Sequence, residues 1–114
     1  MIIGEVCLMT RDVVRLADFY KWLLGVENGS DDAWHQTIFA DETMLTVCHD
    51  ETSGNTGSNI CLAFSVKDLD AEYARLKAAG ICIIEPPTVR PWGMKNMSFE
   101  DPDGNRLYFR TPIE

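Results

Sequence analysis

Apolar and polar positions along the chain fall into two passages that carry the same pattern. Residues 2–10, IIGEVCLMT, read as a strand, and DVVRLADFYKWLLG then switches to helical spacing, with Val13, Leu16, Tyr20 and Leu23 on one stripe. Asp12 is placed to cap that helix and Gly25 to end it. The signals return in the second half: CLAFSV as a strand, Asp68 as a cap, LDAEYARLKAA as a helix with Leu69, Tyr73 and Leu76 on one stripe, and Gly80 as a stop. Asp12 and Asp68 lie 56 residues apart and Gly25 and Gly80 lie 55 apart, so the halves keep step.

Strand-like runs follow each helix. In the first half they are VEN, AWHQTIFA and TMLTVCH; in the second, ICIIE, MKNMSFE and RLYFR. Between the halves DETSGNTGSN is polar and glycine-bearing, the composition of a linker. The pattern predicts an α+β fold of two βαβββ modules, module one at about 1–50, a linker at about 51–58 and module two at about 59–114. One such module is too small to bury both faces of its sheet and helix, so the copies are expected to pair, within the chain or across a dimer.

The order of these units, with LADFYKWLLG after the first strand, VKDLDAEYARLKAAG after the strand that opens the second half, and PWG followed by DPDGN near the end, resembles the vicinal oxygen chelate superfamily. That group holds glyoxalase I, extradiol dioxygenases, fosfomycin-resistance enzymes and bleomycin-resistance proteins. The resemblance covers nearly the whole chain and is closest in style to the small bleomycin-resistance-like members. It implies sheets that curl into an open cup, helices packed outside, and a ligand within. A shared fold does not fix an activity, so function rests on the side chains that face the cup.

Strand alternation sorts them. Val6 and Leu8 suit a core, which turns Glu5, Cys7 and Met9 to the cup; Leu62, Phe64 and Val66 leave Cys61, Ala63 and Ser65 on that side. Leu45 and Val47 leave Met44, Thr46 and Cys48, while Leu107 and Phe109 leave Arg106, Tyr108 and Arg110. In AWHQTIFA the same reasoning turns Trp34, Gln36 and Ile38 to the cup and His35, with Phe39, to the core; His49 falls at a strand end.

Metal-using members of the resembled superfamily take His or Glu ligands from matched strand positions. Those positions here hold Glu5, Thr46, Cys61 and Tyr108. Neutral hydroxyls are poor ligands for a divalent ion, and a single carboxylate beside a thiol is an unusual set for Lewis-acid or oxygen chemistry. No cofactor is therefore favoured, and the leading expectation is metal-independent binding of a small aromatic or cationic compound. Trp34, Gln36, Ile38, Cys61, Trp92, Arg106 and Tyr108 are the expected ligand contacts, and Glu5 is the candidate general base in a catalytic version. The tryptophans serve equally well as stacking surfaces or as filling for a dimer contact, and Arg106 and Arg110 as anion ligands or solvated termini. The alternative is a metal-dependent lyase, isomerase or dioxygenase of glyoxalase type with an atypical site. Turn chemistry alone accounts for DPDGN, with Pro102 setting the bend and Gly104 free to take positive φ.

Composition narrows the partners. The 114 residues are 46% apolar, enough for a packed core, and the net charge of −8 is uneven. Residues 1–57 hold three basic and ten acidic side chains, whereas residues 58–114 hold seven and eight. An acidic first half argues against nucleic acid and suits either a cationic ligand or a solvated surface. No run reaches the roughly 18 apolar residues of a membrane span, and the first ten residues lack a signal peptide's basic start, which points to a cytoplasmic protein. Cys7, Cys48, Cys61 and Cys82 are too scattered for a zinc knuckle or redox motif and read as buried, reduced thiols, with Cys7 and Cys61 the pair that share the cup side.

Overall fold

Two units, Met1–Gly54 and Asn55–Glu114, make up the chain in a computed structural model that describes residues 1, 3–40, 43–52 and 60–113. From residue 53 the expected linker lies outside the described residues. In the first unit β1 (Glu5–Thr10), α1 (Val13–Leu24), β2 (His35–Ala40) and β3 (Thr43–His49) form a sheet in the order β1-β3-β2, with β1 parallel to β3 and β2 antiparallel to it. The second holds β4 (Leu62–Ser65), α2 (Leu69–Ala78), β5 (Ile83–Val89), β6 (Met94–Glu100) and β7 (Arg106–Pro112) in the order β4-β7-β6-β5, with β4 and β7 parallel. The fold is thus α+β, built from two βαβββ-like modules with mixed sheets.

Both helices begin and end as their sequences dictate. Asp12 and Asp68 accept hydrogen bonds from the backbone N–H of Arg15 and Ala71, three residues on. At the far ends Gly25 and Gly80 take φ of 68° and 75°, and the following N–H groups reach back, Val26 to Lys21 O and Ile81 to Leu76 O. Val13, Leu16, Ala17, Tyr20 and Leu23 bury the inner stripe of α1, while Ile38, Leu45 and Val47 form the core face of the first sheet. The second core contains Leu69 and Leu76 of α2 with Met97, Phe99, Leu107 and Phe109, the rings of Phe99 and Phe109 lying 4.8 Å apart.

The run VEN does not form a strand. After the αL turn at Gly25 the backbone is committed to closing the helix, and Asn28 is then taken up in a loop that reaches β2. Its amide donates to Gln36 Oε1 (3.2 Å) and Thr37 O (3.1 Å), and its Oδ1 accepts from Ser30 N. Lys21, buried on α1, donates to Ser30 O at 2.8 Å. Asp32 then sets where β2 starts: one carboxylate oxygen accepts from Trp34 N (2.7 Å) and His35 N (3.0 Å), which holds that carboxyl below its ordinary pKa.

In the second unit β5 runs beyond ICIIE to Val89. Pro86 and Pro87 cannot donate to a ladder, and the β5–β6 register shifts on either side of Glu85, which an edge strand tolerates. The turn between β6 and β7 is organised by Asp101, 4% exposed, whose Oδ1 accepts from the N–H of Asp103 and Asn105 and whose Oδ2 accepts from the Asn105 amide. Gly104 supplies the positive φ of 80°.

Replacing Asp101 by Ala is expected to cost about 1–2 kcal/mol, because it leaves half-buried donors without their acceptor; urea unfolding measures it. Asp32→Ala is expected to lose a contribution present above the ordinary carboxyl value of 3.8. Because the folded-state value is lowered, that contribution fades as pH falls through it. The wild-type advantage in thermal midpoint should therefore be level above roughly pH 5 and shrink in acid.

Candidate functional site

The ladder registers decide which side chains share each open sheet face. In the first unit Glu5, Cys7 and Met9 stand opposite Met44, Thr46 and Cys48, on the face away from Leu45 and Val47. Across the β2–β3 ladder Gln36 is opposite Val47 and Ile38 opposite Leu45, whereas His35 is opposite Cys48 and Thr37 opposite Thr46. Gln36 and Ile38 therefore face the core, at 1% and 0% exposure, and the expectation that they face the open side is overturned. A phase error of one residue moves a whole strand's side chains across the sheet. Gln36 instead works in the loop, accepting from Asn28 and donating to Asp32 O. His35, assigned to the core from sequence, belongs to the open face.

On that face the residues make direct contacts. Thr46 Oγ1 donates to Glu5 Oε2 at 2.6 Å. The thiols of Cys7 and Cys48 share a hydrogen bond at 2.8 Å, and Cys7 Sγ also lies 3.7 Å from Met9 Sδ. Partial burial, then the hydrogen bond and charge interaction with Cys48, then the Glu5 carboxylate push the Cys7 thiol up to about 12. Cys7, Cys61 and Cys82 are exposed rather than buried, Cys7 because strand alternation turns it away from the core; all four cysteines are free. Cys7 meets Cys48 here; Cys61 lies in the other unit, just before β4.

Trp34 and Trp92 are 68% and 66% exposed. Trp34 precedes β2 and sets its ring edge-on to His49, 4.4 Å between centroids, while His49 pairs with Glu51 at 3.0 Å. Trp92 stands on the turn between β5 and β6.

In the second unit Tyr108 is flanked by Ala63 on β4 and Ser98 on β6, and Arg110 by Ser65 and Asn96. Arg110 reaches Ser65 Oγ at 3.4 Å and Met94 Sδ at 3.7 Å. Arg106 is exposed opposite Glu100. Arg90 joins the same face, donating to Asn96 Oδ1 at 2.9 Å and pairing with Glu85. Sequence reasoning missed Arg90, Glu85 and Asn96 because the proline pair hides the continuation of β5; the signal available was Arg90 four residues before Met94, across a turn closed by Gly93 with φ of 83°.

The four positions that the resemblance implies lie two in each unit. Glu5 lies two residues before Cys7, which pairs with Thr46, and Cys61 lies two before Ala63, which pairs with Tyr108. Carboxylate with hydroxyl, and thiol with phenol, do not make the imidazole and carboxylate set that suits a divalent ion, and Glu5 already accepts a neutral hydroxyl. Within either unit, among the described residues, no three His, Cys, Asp or Glu side chains gather into one group.

The sequence profile of the Glyoxalase/Bleomycin resistance protein/Dioxygenase superfamily matches residues 2–109. No match was found among functionally curated proteins. A glyoxalase/bleomycin resistance protein/dioxygenase from Nocardioides is similar in structure, with TM-score 0.84 and 22% identity over 100% of this chain and 85% of that one. A family enzyme of the same description from Burkholderia phytofirmans PsJN gives 0.85 and 18% over 97% and 98%, and lactoylglutathione lyase from Agrobacterium tumefaciens gives 0.77 and 19% over 96% and 92%. At these identities the structural likeness establishes the fold, and with the profile covering almost the full length, the chain belongs to the glyoxalase/bleomycin resistance protein/dioxygenase superfamily.

Proposed function

We propose that this protein binds a small aromatic or cationic compound without a metal, as a homodimer, using the open faces of its sheets. The observation that supports this reading is the Thr46 to Glu5 hydrogen bond of 2.6 Å. It fixes a carboxylate on an open sheet face, where it can accept from a cationic group. Met9 and Met44, both exposed on that face, offer polarizable contact to a ring.

The excess of acid in residues 1–57 draws cations toward the same unit. Exposed Trp34 and Trp92 supply stacking area, while Tyr108, Arg106 and Cys61 offer polar contacts in the second unit. Binding is favoured over turnover because a threonine hydroxyl gives Glu5 no partner that titrates near neutral pH. Exposed Ile3, Ile60 and Val89 are apolar surface for a second copy to cover.

Titration calorimetry of the full chain against planar organic cations and bleomycin-type glycopeptides should find a ligand. Glu5→Gln should weaken it roughly tenfold, the loss of one charge-assisted hydrogen bond. Uniform absence of binding to folded protein would overturn the reading. Adding EDTA should leave affinity unchanged; loss of binding that nickel, manganese or iron restores would replace it with the metal-dependent alternative. Light scattering after size exclusion should give twice the 12.8 kDa chain mass, and a monomer at binding concentrations removes the dimer.

A further inference from the structure

Three sulfur atoms meet on the open face of the first sheet, and nothing in the proposed ligand reading uses them as a group. Cys7 Sγ is 2.8 Å from Cys48 Sγ and 3.7 Å from Met9 Sδ. The residues come from two strands locked in parallel register, where Met9 stands opposite Cys48 and Cys7 is two residues before Met9. Alternation places Cys7 and Met9 on one face, and the ladder brings Cys48 to the same face from the neighbouring strand. We propose that Cys7, Cys48 and Met9 form a binding site for a soft monovalent cation of the Cu(I) type, held by two thiolates and one thioether.

The donor chemistry carries this. Thiolate and thioether sulfur favour a soft ion such as Cu(I) over hard ones, and a site without a cluster of carboxylates does not suit magnesium, manganese or calcium. Three sulfur donors about 2.3 Å from a central ion in a trigonal plane lie about 4 Å from one another. The Cys7–Met9 separation of 3.7 Å is close to that, and the Cys7–Cys48 pair must open from 2.8 Å, a side-chain rotation on a solvent-facing sheet surface. Uptake forms two thiolate–copper bonds and one thioether–copper bond, breaks two S–H bonds and releases two protons to solvent. No electron is transferred. Of the nearby groups, the Glu5 carboxylate shares the face, so the cation's own charge must stabilise the thiolates.

Cys82 gives an internal control, because it is exposed and does not belong to the group.

The test is anaerobic titration of the reduced full chain with Cu(I), read by competition with a chromophoric Cu(I) chelator and by sulfur-to-copper charge-transfer absorption. The Cys82→Ser variant should bind one equivalent as wild type does. Cys7→Ser and Cys48→Ser, each checked for fold by circular dichroism, should lose on the order of 100-fold or more in affinity, and Met9→Leu about tenfold. X-ray absorption should count three sulfur ligands in the wild type and two in Met9→Leu. Retention of wild-type affinity by the Cys7→Ser, Cys48→Ser double variant overturns the proposal, as does loss of binding in the Cys82→Ser variant. Loss of two free thiols to a Cys7–Cys48 disulfide without copper uptake also overturns it.

Discussion

The parallel ladder between the first and last strand of each unit is the constraint on which the rest depends. Two strands that run in the same direction cannot be joined by a tight turn, so the chain must cross over, and each crossover here contains a helix packed on one sheet face. Once that face is taken by α1 or α2, the other is left for chemistry. The register then fixes which residues meet there: Glu5 reaches Thr46 and Cys7 reaches Cys48 because β1 and β3 align Cys7 with Thr46. In the second unit the same arrangement sets Tyr108 beside Ala63.

One scaffold thus carries two chemistries. The open face of the first unit joins a hydroxyl-bonded carboxylate to a sulfur group and exposed methionines; that of the second carries Tyr108, Ser98 and Asn96 with Arg90 and Arg110 around them. The difference matches the charge of the two halves, acid-rich before residue 58 and nearly balanced after it. The cores are less distinctive: aliphatic and aromatic side chains at strand spacing fill both, as an open sheet under a helix requires.

Helices and their ends were legible because each depends on a few adjacent residues. A capping aspartate, a stripe at helical spacing and a glycine able to take positive φ act within one or two turns, and Asp12, Asp68, Gly25 and Gly80 behave as local chemistry demands. The facing of β1, β3, β4 and β7 was legible too, since their apolar residues alternate cleanly. Alternation in AWHQTIFA was ambiguous: Trp34 and Ile38 share one parity and Phe39 the other, so composition could not choose a side. Pairing with β3 settled it, making Ile38 core and His35 open face.

By itself, then, the sequence determined the duplicated α+β plan, the helix boundaries and the hairpin at DPDGN. These follow from forces that act between near neighbours or from a period that the chain displays directly. Tertiary structure alone decided that VEN joins a loop, that Gln36 serves that loop from the core, that Arg90 lies against Asn96, and that Cys7 finds Cys48. Each is a contact across a ladder or between a loop and a sheet. Strand register, which depends on the fit of whole elements, is not contained in the spacing of any one segment.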